Sequence, residues 1–372
     1  PFADRALSGG ALPAPPVIDA TRGNFTLGAS ASLSTAGLFV DDRSASATAD
    51  TLPFLTAGGA ISISSFSANL VAGSRIDASG GVAIAASGKT GYGNGGSIAI
   101  RAGQDPGFAS LIGGKLGLNG ALQAFSGAKG GSLTLFAPSV QIGGTTANTS
   151  TLLLAPDFFG TGGFTRFSID GLGAATAQAD RYVPGVFIAP GTAIAPVVQS
   201  RLLATDASDG SAFTTLVQPV GVRAPVNLAF GAPGVRDIFN SAKPLVVRGD
   251  VVVGEGALIQ TDPKGSIALS GDTVLVQGGL VAPGGTITVS GGKDSTLLFA
   301  DASQALPTVD LGAKSALSAA GTTVLTPDVR GYRTGSVLAG GTIAIAGNIV
   351  AETGAKLDVS GASGVLELAP TF

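Results

Sequence analysis

The sequence predicts an all-β chain wound as a parallel β-helix, and three observations carry that expectation. Glycine makes up 58 of the 372 residues, roughly 16% against a usual ~7%. Short segments alternate apolar and small-polar residues with period two. Similar modules recur about every 20 residues, the mark of a repeat architecture.

The alternation is plain in Ser97-Ile98-Ala99-Ile100, Ser132-Leu133-Thr134-Leu135, Thr286-Ile287-Thr288-Val289 and Thr342-Ile343-Ala344-Ile345. Each reads as a strand with one buried face. The inward positions are mostly β-branched, which suits a pleated surface. Helical periodicity is scarce; the best short candidate, 174–180, lacks an apolar stripe. Without crossover helices a βαβ sheet is ruled out, and the Asn-Gly and Asp-Gly turns of a hairpin sandwich are sparse.

The spacing points to coils. Val247 to Ile267, Ile267 to Ile287, Ile61 to Val82 and Ile343 to Val365 are each 20–22 positions apart. A unit that short cannot bury its apolar face alone and must stack on its neighbours. Glycine at the corners supplies positive φ or close backbone approach. At about 20–24 residues per coil the chain makes roughly 15–18 coils, a rod of roughly 70–85 Å. We expect one rod over 1–372. Residues 157–243 are less regular, richer in proline and aromatics such as Phe158, Phe159, Phe164 and Phe167. Either they are coils with longer loops and stacked core phenylalanines, or they form an inserted subdomain; the first is the expectation.

Composition excludes several functions. Histidine and cysteine are absent, so there is no imidazole base, thiolate nucleophile, disulfide or zinc-thiolate site. Lys+Arg is 21 against Asp+Glu 24, which gives no electrostatic footprint for nucleic acid. The stretch from Val183 to Val198 is cut by prolines and glycines, so no transmembrane segment is expected.

Candidate motifs are few. Gly91-Tyr92-Gly93-Asn94-Gly95-Gly96 matches G-x-G-x-x-G but runs into strand residues where a dinucleotide loop needs a helix. Ser87-Gly88-Lys89-Thr90 resembles the end of a phosphate loop, but the first glycine is replaced by Ala83. No cofactor is expected. Arg248-Gly249-Asp250 sits between Leu245-Val246-Val247 and Val251-Val252-Val253. On a protruding turn it would be a receptor-binding tripeptide; otherwise it is a charged corner. Parallel β-helices also house polysaccharide lyases and glycosidases, which need paired acids. The candidates are Asp206 with Asp209, Asp237 near Arg236, and Asp301 with Asp310. Asp77 and Asp358 recur at one module position (RIDAS, KLDVS), which favours a corner hydrogen bond over an active site. The calcium nonapeptide does not recur. The sequons at Asn24 and Asn148 are expected by chance in a chain this rich in Ser and Thr.

The modules GSRIDASGG, GAKLDVSGASG, GGSIAIRAG and GGTIAIAG resemble the shaft of filamentous-haemagglutinin-like exoproteins, adhesins of the two-partner secretion type. The resemblance covers most of the chain. It implies a right-handed β-helix exported through an outer-membrane barrel partner. It further implies a structural and adhesive role at the bacterial surface, attaching to host or neighbouring-cell surfaces, glycans or matrix. Self-association into fibres is expected from open β edges. Lack of cysteine suits passage through an oxidising periplasm. The chain opens PFADRALSGG, with neither a start methionine nor a signal peptide, so a processed or excised piece is expected. The alternatives are a β-helical carbohydrate-active enzyme and an autotransporter passenger with the same rod.

Overall fold

The computed structural model describes residues 23–43, 54–107, 112–173, 183–204, 213–237, 245–292 and 307–367. The helix candidate at 174–180 lies outside them. The described chain is all-β; its helical content there is one 3-10 turn, Pro156–Gly160.

The backbone is organised by an eight-stranded sheet whose neighbours follow strict chain order. Its strands are Ala60–Ser64, Ser97–Arg101, Gly131–Ala137, Phe164–Gly171, Asn227–Ala232, Ser266–Gly271, Thr286–Ser290 and Thr342–Ala346, every pair parallel. Parallel neighbours cannot be joined by a tight turn. Between visits the chain therefore lays strands into other sheets. Thr273–Val276, Gly279–Val281 and Thr286–Ser290, for example, fall in the seven-, five- and eight-stranded sheets in turn. This is consistent with a solenoid.

Period-two alternation explains why these segments are strands. In the long sheet Ile98, Leu133, Phe167, Leu228, Ile267 and Ile287 form one buried column, in direct register. The seven-stranded sheet faces it with Val140, Val186, Val251, Val274 and Val309. The five-stranded sheet adds Ile194, Ile259, Leu280 and Leu317. Each fully buried Ile, Val or Leu contributes about 1.5–3 kcal/mol of transfer free energy.

Glycine has a specific place in this stack. A Cβ on Gly96 would lie 1.9 Å from the Gly59 carbonyl oxygen, one on Gly285 2.0 Å from that of Gly265, and one on Gly341 1.9 Å from that of Gly285. These residues precede strands of the long sheet. Successive turns touch backbone to backbone there, and a side chain has no room.

The coil length differs from the sequence expectation. Only Ile267 to Ile287 is a 20-residue step between ladder partners. Val247 instead pairs antiparallel with Val235, Ile61 pairs with Ile98, and Val365 lies outside any strand. The reason is inserted hairpins: Val82–Ile84 with Thr90–Tyr92, Ser200–Leu203 with Phe213–Leu216, Val235–Asp237 with Leu245–Val247, and Thr323–Leu325 with Gly335–Val337. These excursions lengthen turns without adding strands to the long sheet. The long sheet thus has eight strands among the described residues, well short of 15–18 coils, and spans roughly 34 Å at about 4.8 Å per step.

Among the described residues the ladder is interrupted once. Leu116–Leu118 ends a three-stranded sheet and Ala121–Gln123 ends another, while Thr151–Leu154 starts the seven-stranded sheet and Ala193–Ile194 the five-stranded one. Only the long sheet crosses this break. Large side chains fill the interior here. Phe159 packs against Phe158, Phe167 and Phe230 with ring centroids 5.2–5.8 Å apart in edge-on geometry, an arrangement aromatic rings favour.

Candidate functional site

The Arg248-Gly249-Asp250 tripeptide lies where the hairpin at Val235–Asp237 and Leu245–Val247 hands over to Asp250–Val253 of the seven-stranded sheet. Position-by-position register sets Asp250 beside Thr273. Arg248 is 4% exposed and Asp250 1%. The Arg248 guanidinium donates from Nε to both Asp250 oxygens, at 2.8 and 2.9 Å. Thr273 Oγ1 donates to the same carboxylate, and the Gly249 N–H donates to Asp272 Oδ2 at 2.9 Å. A buried charge needs this density of partners. The three residues do not stand on a protruding turn: both charges face each other inside the corner, so neither is offered to a receptor.

Of the candidate acids, Asp310, Asp77 and Asp358 have described side chains. Asp206, Asp209 and Asp301 lie outside the described residues, and of Arg236 and Asp237 only the strand backbone is described. Asp310 sits in Val309–Leu311, 4% exposed, and its Oδ1 has no hydrogen-bond partner among the described residues. Burial pushes its carboxyl above the usual range, and nearby Glu352 pushes the same way. Asp77 and Asp358 behave alike: each Oδ1 accepts the N–H of the residue two further on, Ser79 or Ser360, at 2.9 Å. Both are Asx-type corners.

Gly91 and Tyr92 belong to a hairpin, and the run to Gly96 leads into Ser97–Arg101, another strand. Ser87 to Lys89 form that hairpin's turn, with Gly88 at φ 83°. Asn24 is an exposed strand residue, and Asn148 caps its own loop through Ser150 N–H at 2.9 Å. Among the described residues no group of three or more His, Cys, Asp or Glu side chains is placed to hold a metal ion. No helix there is long and apolar enough to cross a membrane.

One titratable group had no signal in the sequence. Asp170 projects from the outer face of the long sheet, where its row holds Arg101, Phe136, Gly231 and Ser270. Burial raises its carboxyl, opposed by Arg101 and by a long hydrogen bond from Ser168. Arg101 lies over the Phe136 ring at 4.2 Å. Among the described residues no second carboxylate stands in that row.

The remaining distinctive surface is the far end of the stack. Thr342–Ala346, Ile349–Ala351 and Lys356–Asp358 are the last strands of their three sheets. Ile349 is 48% exposed and Leu357 51%, although their ladder partners Val309 and Leu317 are buried.

No protein family, curated protein or solved structure matches this chain.

Proposed function

We propose that the chain is a structural and adhesive segment of a secreted bacterial surface fibre, built as a right-handed parallel β-helix. The supporting observation is the run of parallel strands that pair in register from one turn to the next in three sheets. Strands stacked this way make an extended, repetitive surface. The lumen is filled by aliphatic columns and the one tripeptide suited to receptor capture is buried, so the chain's work is shape and surface. Export through an outer-membrane barrel and an extracellular location belong to the same proposal, which rests there on the resemblance of modules such as GSRIDASGG and GAKLDVSGASG to exoprotein shafts. Host or neighbouring-cell surfaces, glycans and matrix are its proposed contacts.

The test is negative-stain electron microscopy with sedimentation velocity across a concentration series. Rod-shaped particles that lengthen with concentration are expected. Compact particles of concentration-independent size overturn the reading.

A further inference from the structure

The interruption between the two blocks of ladders forms a groove of about 460 Å³. One lip is Leu116–Leu118, hydrogen-bonded to Ser67–Leu70 on its far side alone. The other is Thr151–Leu154, bonded to Ser139–Ile142 on its far side alone. Both strands line the groove along their whole lengths, with Phe158 and Asp157 beside them.

The pairing pattern fixes which backbone groups face in. Lys115 C=O accepts from Ala68 N–H, and Asn119 N–H donates to Leu70 C=O, each at 2.9 Å. Since pairing groups alternate along a strand, the N–H and C=O of Leu116 and Leu118 turn the other way, into the groove. On the opposite lip Leu154 C=O accepts from Gly143 N–H at 2.9 Å. The same alternation turns the N–H and C=O of Leu153 inward.

We propose that this groove takes an extended strand from a separate protein, paired through main-chain hydrogen bonds to Leu116 and Leu118 on one lip and to Leu153 on the other. An added strand meets two edges at once, whereas ordinary strand addition meets one. It would also carry the ladder across the break, continuing pairing that is established on both sides of it. The long sheet already runs unbroken alongside, Gly131–Ala137 paired with Phe164–Gly171. Asp157 is the one charged side chain lining the groove among the described residues. The fitting segment therefore alternates apolar and small-polar residues and carries a Lys or Arg at the end beside Asp157.

The probe is a capped peptide copying residues 95–102, GGSIAIRA, which has that alternation and an arginine. Hydrogen exchange of the full chain is followed by NMR with and without it. Exchange at Leu116, Leu118 and Leu153 is expected to slow at least about tenfold on saturation. Leu153→Pro removes a groove-facing donor and leaves the bonds to Ser139–Ile142; it should weaken binding about tenfold with the melting curve unchanged. If that variant unfolds, the wild-type exchange map still decides. Asp157→Asn should weaken this peptide but not its Arg-to-Gln analogue. No slowing at the three amides at millimolar peptide, or slowing confined to the open edge at Thr342–Ala346, overturns the proposal.

Discussion

Arg248 and Asp250 neutralise each other inside a corner of the stack, Nε to Oδ1 at 2.8 Å with both side chains almost fully buried. Removing one partner leaves an uncompensated buried charge, which costs about 3–5 kcal/mol. Asp250→Ala should therefore lower the free energy of unfolding by that amount in urea denaturation. Replacing both residues with apolar ones of similar volume should cost much less than the two single changes together. If Asp250→Ala left stability untouched, the pair would not be holding the corner.

Asp310 should make stability depend on pH. Its folded-state pKa is raised by burial and by the Glu352 carboxylate, while in the unfolded chain it returns to about 3.9. The folded state then binds the proton more tightly. Its contribution is fully present below the unfolded pKa and is lost as pH rises through the folded one. Asp310→Asn removes the charge that is costly to bury. It should stabilise the protein at pH 7 by about 1–3 kcal/mol, and that gain should vanish in melts at pH 3.5.

Much of the fold was legible because the signal is local. The inward residues of Ser97-Ile98-Ala99-Ile100 and Thr286-Ile287-Thr288-Val289 sit in the same two register columns of the long sheet, as period two requires. The shared role of Asp77 and Asp358 was legible too, since a carboxylate two residues before a Ser is a local turn device. Coil number was not. Leu245–Val247 and Val235–Asp237 carry strand-like residues but pair antiparallel in a side hairpin, and alternation does not tell a rung from an excursion. The burial of Arg248 was hidden because Asp272 and Thr273, which close over the tripeptide, come from the next turn. The groove at Leu116–Leu118 was hidden for a related reason: it is defined by a strand partner that none of the described residues supplies.

The glycine column gives a sharper test than composition does. Gly285→Ala would place a methyl 2.0 Å from the Gly265 carbonyl oxygen, forcing adjacent turns apart. Overpacking of this kind costs about 1–3 kcal/mol. Gly28 has nothing within 4 Å of its would-be Cβ, so Gly28→Ala should stay within about 0.5 kcal/mol. Parallel thermal melts of the two variants measure the contrast; equal effects would mean that the close backbone approach does not constrain the stack.

Ile287 and Ile343 occupy one register column, adjacent on the long sheet, yet they differ in cover. Ile287 has a strand on each side and is fully buried; Ile343 lies on the terminal strand and is only half-buried. Ile287→Ala should cost about 2–5 kcal/mol through lost transfer energy and a residual cavity. Ile343→Ala should cost distinctly less in dilute protein, because solvent already reaches it and little cavity remains. If the open end stacks on another rung, that difference must shrink as protein concentration rises, since association stabilises by mass action. Denaturation of both variants at low and high concentration therefore reads the end interface directly. A gap between them that stays constant with concentration would show that nothing seats on Ile343.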